Sequence, residues 1–273
     1  MIKLAVIGDP IEHSLSPRVH GAILDALKIE YIYEKVNVKK GGLEEFIKYA
    51  KDRGITGFNL TMPHKVDVIP YLDYMDREAS EYASVNTVCL RDNKLFGYTT
   101  DGVGYELSLK RNGIEFKNNR VVILGAGGAC RTILKKASES GAKSITILNR
   151  TIEKAEEIIT GMGENVKACG FDLTEVKNAD ILINATPLGM HGCGEFESLD
   201  FLENLPYNAF VSDLIYNPAQ TKFLKRAKEL GHKTDNGLSM LIFQAIVSQE
   251  YYLNRKLDIF KIYETVIERG FRC

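Results

Sequence analysis

The chain has 273 residues, enough for two modest domains, each with a core of its own. Its 35 Lys and Arg against 36 Asp and Glu leave a formal net charge of −1, which offers no basic field to nucleic acid or to an anionic membrane surface. No apolar run reaches spanning length, the short N-terminal one is followed at once by Asp9, and five widely spaced cysteines form no CxxC pair; the expectation is a cytoplasmic protein without a zinc or dithiol site.

Short apolar runs alternate with helical patterns along the chain. Residues 4–7 are predicted as a strand, and 16–27 as a helix with Val19, Ile23 and Leu27 on one face. A strand at 31–38, a helix at 43–51 and a strand at 55–60 follow. Residues 85–90 and 94–98 flank Arg91-Asp92-Asn93 and read as a hairpin, the one clear antiparallel element. A helix starts after Asp101 and leads to Gly113. Beyond it the strand–helix alternation is stricter, with strands at 121–124, 144–148, 181–184 and 210–214. Past Gly237 come two long helices, 238–254 and 258–269, with no strand of their own, which are expected to pack back on the first domain. The fold class is α/β in two domains. Residues 1–101 with 238–273 form one, and residues 102–237 form a doubly wound, Rossmann-type domain.

The strand at 121–124 runs into Gly125-Ala126-Gly127-Gly128-Ala129 and then a helix. Closely spaced glycines between a buried strand and a helix are how a chain holds a pyrophosphate: Gly125 makes the tight turn, and Gly127 lets the backbone approach the anion. The third glycine or alanine position is Cys130, so the motif alone is also compatible with an ordinary β-to-α turn. The next strand ends in Asn149-Arg150-Thr151, with Lys154 a helical turn later, where an NAD-selective site wants a carboxylate on the ribose 2′-hydroxyl. A guanidinium fork matches a 2′-phosphate instead, which points to NADP.

Three polar clusters stand at strand ends or helix starts, where open α/β sheets bind ligands. They are Ser14-Leu15-Ser16-Pro17-Arg18-Val19-His20, Asn59-Leu60-Thr61-Met62-Pro63-His64-Lys65, and Ser84-Val85-Asn86-Thr87 with Thr99-Thr100-Asp101-Gly102. Ser16 reads as an N-cap with Pro17 first in the helix, and a helix start with two hydroxyls also suits a carboxylate. His13, His20, His64 and Cys130 lack partners at spacings that suggest a metal or a nucleophile, so no metal site is expected.

These segments resemble the shikimate dehydrogenase family in collinear order. So do Asn184-Ala185-Thr186-Pro187, Asp213-Leu214-Ile215-Tyr216-Asn217-Pro218 and Gly237-Leu238-Ser239-Met240-Leu241 with Gln244-Ala245. The resemblance spans essentially the whole chain and implies reversible, NADP-dependent reduction of 3-dehydroshikimate to shikimate. By it, Lys65 is the acid/base group beside Asp101, an ammonium that polarises a carbonyl and supplies its proton while a carboxylate orients it. The substrate carboxylate falls to Ser14 and Ser16, assisted by Tyr216, and the ring hydroxyls to Thr61, Asn86, Asp101 and Gln244, with Asn59 close by. Gln244 has support of its own, because an amide inside an apolar helical run needs a hydrogen-bond partner. Thr186, Leu214, the Gly237 backbone and Met240 line the ribose and nicotinamide.

Three positions depart from the family pattern: Gly21 where an asparagine follows the histidine, Thr99 in place of an asparagine, and Ser84 in place of an alanine. The rival readings are a quinate/shikimate dehydrogenase of broader range, whose relatives favour NAD and carry an acid near Arg150, and a non-catalytic NADP-binding sensor. A folate-pathway dehydrogenase of similar layout lacks the serine pair and the Gln244 helix. The partner expected is a small molecule, with no nucleic acid or membrane, acting on a monomer or a homodimer.

Overall fold

The computed structural model describes residues 1–271, so the last two residues of the expected 238–273 segment lie outside the described residues. The described residues form two compact units, Met1–Gly104 with 242–271, and Tyr105–Leu241.

The first unit contains β1 (Ile2–Gly8), α1 (Ser16–Ala26), β2 (Tyr31–Asn37), α2 (Leu43–Arg53), β3 (Gly57–Leu60), α3 (His64–Asp67), β4 (Tyr74–Met75), α4 (Arg77–Tyr82), β5 (Thr87–Arg91) and β6 (Lys94–Tyr98). Helix α5 (Asp101–Arg111) then carries the chain out of it. The strands make one six-stranded sheet in the order β2-β1-β3-β5-β6-β4. β1 is parallel to β2 and β3 on either side, which fits its unbroken apolar run, since a strand covered on both faces has no polar side to present. Antiparallel pairing extends beyond the expected hairpin, because β5 also runs against β3. That pairing sets Asn59 opposite Thr87. Ala5, Ile7, Phe46, Phe58 and Val88 share one core, where the Phe46 and Phe58 rings meet edge-on at 5.0 Å. α2 closes on Gly54 at φ 65°, a left-handed cap that only glycine adopts without strain. α4 has a side-chain cap, Asp76 accepting from Ala79 N–H, but it is too short to show a helical period.

The second unit contains β7 (Arg120–Leu124), α6 (Gly128–Glu139), β8 (Ser144–Leu148), α7 (Ile152–Ile159), β9 (Val166–Cys169), β10 (Ile181–Asn184), β11 (Phe210–Asp213), α8 (Lys222–Glu229) and β12 (Lys233–Asp235). Its six strands are all parallel, in the order β12-β11-β10-β7-β8-β9. The strand order reverses at β7, so the glycine loop that follows β7 lies at the switch point, where doubly wound sheets bind ligands. Alternation splits each inner strand between two cores: Val121 and Ile123 join Tyr105 and Ile133, while Val122 and Leu124 join Leu202 and Phe223. β9 and β12 add two strands to the four expected. Both are edge strands that carry exposed lysines, Lys167 and Lys233, and so show no apolar run.

Helix α9 (Gly237–Leu253) re-enters the first unit at Ile242, and α10 (Ile259–Glu268) packs there against α1. Asp258 caps α10 through Lys261 N–H.

Candidate active site

In the first unit, Lys65 sits on α3, whose backbone is pinned when the Lys65 carbonyl accepts from Val85 N–H at 2.8 Å. Its Nζ lies 2.5 Å from Asp101 Oδ2; the lysine side chain is 26% exposed and the aspartate 9%, so the pair is held from inside and reachable from outside. Asp101 Oδ1 accepts from Asn86 Nδ2 at 2.8 Å. The same Nδ2 lies 3.3 Å from Gln244 Oε1, which also accepts from the Thr100 hydroxyl at 3.3 Å. Lys65, Asp101, Asn86 and Gln244 therefore form one connected cluster, drawn from α3, α5, the residue just before β5 and α9.

Behind this cluster lies a second polar layer, in which Asn59 was expected as a site residue and Tyr33, Thr87 and Ser248 were not. Tyr33 donates its hydroxyl proton to Asn59 Oδ1 at 2.8 Å, and Asn59 Nδ2 donates to the Asn86 carbonyl and to Thr87 Oγ1, each at 3.2 Å. Ser248, one helical turn after Gln244 and therefore on the same face of α9, meets Thr87 Oγ1 at 2.8 Å and Thr100 Oγ1 at 3.2 Å. That helical spacing was the available signal for Ser248, and adjacency to Asn86 the one for Thr87.

Ser14 and Ser16 stand together at the start of α1, the Ser14 hydroxyl donating to Ser16 Oγ at 3.2 Å and accepting Ser16 N–H at 3.3 Å. Ser16 is the first residue of the helix and not its cap, because Leu15 already has near-helical backbone angles (φ −85°, ψ −4°) and Ser14 captures the free N–H. Thr61 is partly buried and hydrogen-bonds through its backbone to Ile7. His64 is fully buried, with Nε2 2.6 Å from the Val38 carbonyl, and so donates to it. His20 is buried against Tyr33, rings stacked at 4.8 Å, and burial pushes its imidazole down to about 3, so it stays neutral. At Gly21 a Cβ would lie 2.6 Å from the Tyr31 hydroxyl, so tyrosine fills the space that a side chain there would take. Thr99 is buried and its hydroxyl has no partner among the described residues, and Ser84 is buried before Val85.

In the second unit, Gly125 has φ +98°, a conformation other residues avoid, and its N–H donates to Leu148. Gly127 is the N-cap of α6 with no side-chain cap, and a Cβ on Gly127 or Gly128 would meet no protein atom within 4 Å. Packing therefore does not explain these two glycines. Free N–H groups with clear approach at the start of a twelve-residue helix suit a pyrophosphate. Asn149 bridges the site inward, its Oδ1 accepting from Ala126 N–H at 3.1 Å and its Nδ2 donating to the Thr151 carbonyl at 2.7 Å. It thus ties the glycine loop to the turn where Arg150, Thr151 and Lys154 are all exposed.

Asn184 and Asp213, at the ends of adjacent strands, organise the neighbouring loops. Asn184 Oδ1 accepts from the Thr186 hydroxyl at 2.6 Å, and its Nδ2 donates to Asp213 Oδ1 at 3.0 Å. Asp213 also accepts from Ile215 N–H at 3.0 Å and from the Thr221 hydroxyl at 2.7 Å. Burial pushes the Asp213 carboxyl up to about 6 even though these donors pull the other way. Leu214 follows on the same strand end and Tyr216 is partly buried beyond it. A Cβ on Gly237 would lie 2.0 Å from the Leu214 carbonyl oxygen, so glycine is what lets α9 start against that strand end. Met240 packs on the core that includes Ile123. Among the described residues no group of His, Cys, Asp or Glu is gathered for a metal ion, and no helix is long and apolar enough to cross a membrane.

Residues 6–88 match the family described as the shikimate dehydrogenase substrate binding domain, and residues 106–190 that described as shikimate / quinate 5-dehydrogenase. The chain is 41% identical to the shikimate dehydrogenase (NADP(+)) of Alkaliphilus oremlandii, over 97% of this chain and 96% of that one. The crystal structure of shikimate 5-dehydrogenase from Thermus thermophilus in complex with NADP(H) and shikimate superposes with a TM-score of 0.87 at 32% identity, covering 98% and 99% of the two chains. The ligand-free 5-ketofructose reductase of Gluconobacter sp. strain CHM43 gives 0.86 at 35% identity, covering 98% of each.

Proposed function

The chain belongs to the shikimate dehydrogenase family, and on that premise we propose that it interconverts 3-dehydroshikimate and shikimate with NADP, an oxidoreductase acting on a CH–OH group in aromatic amino acid biosynthesis in the cytoplasm. The observation that carries the reading is the partly exposed Lys65 ammonium fastened to Asp101, which Asn86 in turn holds. NADPH, when bound, supplies the hydride that adds to the ring carbonyl carbon. As the C=O electron pair moves onto oxygen, Lys65 Nζ gives that oxygen a proton, and the partly exposed amine regains one from solvent. In the direction of oxidation the same nitrogen takes the hydroxyl proton. Asp101 does no proton transfer; it keeps the lysine aimed.

The other residues divide by unit. Ser14 and Ser16 receive the substrate carboxylate, and Thr61, Asn86, Asp101 and Gln244 receive the ring hydroxyls. The serine pair favours a carboxylate-bearing ring over a neutral keto sugar, because the two hydroxyls and the helix start are all suited to negative charge. Gly125, Ala126, Gly127, Gly128 and Ala129 shape the pyrophosphate loop, with Asn149 bracing it. Arg150, Thr151 and Lys154 take the 2′-phosphate, and Thr186, Leu214, Gly237 and Met240 line the ribose and nicotinamide. Residues 1–101 with 238–273 act as the substrate domain and 102–237 as the NADP domain. Quinate, which shares the carboxylate and the ring hydroxyls, is the second substrate to be measured.

The test is Lys65→Ala. It should lower kcat by about a hundredfold or more while leaving the unfolding curve near that of the parent, as expected for loss of a general acid–base group. A near-parental kcat removes Lys65 from the chemistry.

A further inference from the structure

We infer that Thr87 is a positioning residue for this reaction: its hydroxyl holds the Asn86 carboxamide in the one orientation in which Asn86 can hold Asp101. The inference rests on the reaction proposed above only for its kinetic readout. Thr87 is fully buried, and its hydroxyl meets Asn86, Asn59 and Ser248 but neither Lys65 nor Asp101; of these three, Asn86 is the one that bonds Asp101.

Donor counting fixes the arrangement. Asn86 Oδ1 accepts from Thr100 N–H at 3.0 Å, and a backbone N–H can only donate, so this end of the amide is oxygen. The other end is then the NH₂ group, which reaches Asp101 Oδ1 at 2.8 Å and Thr100 Oγ1 at 2.9 Å. Thr87 Oγ1 lies 3.0 Å from that same Asn86 oxygen, an acceptor only, so the single Thr87 proton goes there. The Ser248 hydroxyl, which donates to the Gln244 carbonyl at 2.9 Å, also lies 2.8 Å from Thr87 Oγ1, and Asn59 Nδ2 donates to Thr87 at 3.2 Å. The Thr87 oxygen thus gives its proton to Asn86 and takes one from Asn59.

The second donor at Asn86 matters because the terminal torsion of asparagine is broad, with no staggered well to hold the amide plane. Thr100 N–H and the Thr87 hydroxyl hold the oxygen end from two directions, which limits how far the plane can turn about its bonds to Asp101, Thr100 and Gln244. The N–H aimed at Asp101 Oδ1 is fixed with it, and so is the carboxylate oxygen 2.5 Å from Lys65 Nζ. Asn59 belongs to this layer, since Tyr33 takes its oxygen and Asn86 and Thr87 take its NH₂, and it is only 6% exposed. It supports the residues that meet substrate.

The experiment compares Thr87→Val, which keeps shape and β-branching at the start of β5, with Thr87→Ser, which keeps the hydroxyl. In the full-length protein, Thr87→Val should lower kcat for shikimate about tenfold, the scale of one lost hydrogen bond, with KM for NADP unchanged within about twofold. Thr87→Ser should restore most of the rate. The side-chain amide NMR signal of Asn86, assigned through Asn86→Asp, should move in Thr87→Val and return in Thr87→Ser, without substrate or cofactor present. A parental kcat in Thr87→Val, or equal losses in both variants, overturns the inference. If the parent itself does not oxidise shikimate, the reaction is wrong, and the amide signal alone still decides whether Thr87 orients Asn86: an unmoved signal overturns that too.

Discussion

Asp213→Asn isolates what a buried carboxylate does to this protein. Asp213 is 1% exposed, and its carboxyl stands at about 6 in place of the usual 3.8. A raised acid means that between these two values the native chain holds a proton that the unfolded chain has already lost. The contribution of Asp213 to stability is therefore neutral below the unfolded value, falls as pH rises through the window, and is least favourable above pH 6. The difference of about two units corresponds to about 3 kcal/mol. Asparagine does not titrate, and it can keep its oxygen on Ile215 N–H and Asn184 Nδ2 while turning its NH₂ toward Thr221 Oγ1. Parallel urea titrations of parent and variant across about pH 4 to 7.5 read the effect directly. The variant should gain about 3 kcal/mol on the parent between the acid end and neutrality. A gap that does not change with pH would mean that Asp213 titrates as an ordinary carboxyl, and that its three donors fully offset burial.

Two further substitutions probe the cofactor side. Arg150→Ala should weaken NADP by roughly ten- to a hundredfold, the scale of charge-assisted hydrogen bonds, and leave NAD binding unchanged; calorimetric titration with both nucleotides checks it. Equal losses for the two would separate Arg150 from the 2′-phosphate. Gly237→Ala drives a methyl to 2.0 Å from the Leu214 carbonyl, a backbone atom that cannot swing aside. It should cost about 1–3 kcal/mol and weaken NADP, and a parental melting curve with parental NADP affinity would contradict the close approach.

Much of the fold was legible because it depends on period and punctuation. β7, β8, β10 and β11 are inner strands, buried on two faces, and their apolar runs announce them. The edge strands β9 and β12 were not legible, since half of each faces water and Lys167 and Lys233 break the run. Gln244 stood out as a polar residue in an apolar helix, and it is buried with its oxygen bonded. Ser248 sits in the same helix, but a serine in such a run can satisfy itself on the preceding turn, as this one does with the Gln244 carbonyl at 2.9 Å, so it raised no question. Asp213 lay inside a family motif without a role. Its partners Asn184 and Thr221 come from separate segments, and only the pairing of β10 with β11 brings Asn184 opposite Asp213. The Ser16 cap was misread by one position, because Leu15 already takes near-helical angles and its carbonyl accepts from Val19 N–H, which puts Ser16 inside the helix.

The most direct test of the proposed reaction is the initial rate of shikimate oxidation by the purified protein with NADP and with NAD at equal concentration, quinate being run alongside. The expected result is turnover of shikimate, much faster with NADP than with NAD. Equal rates with the two nucleotides, or a faster rate with NAD, would contradict the assignment of Arg150, Thr151 and Lys154; no turnover with either would contradict the reaction itself.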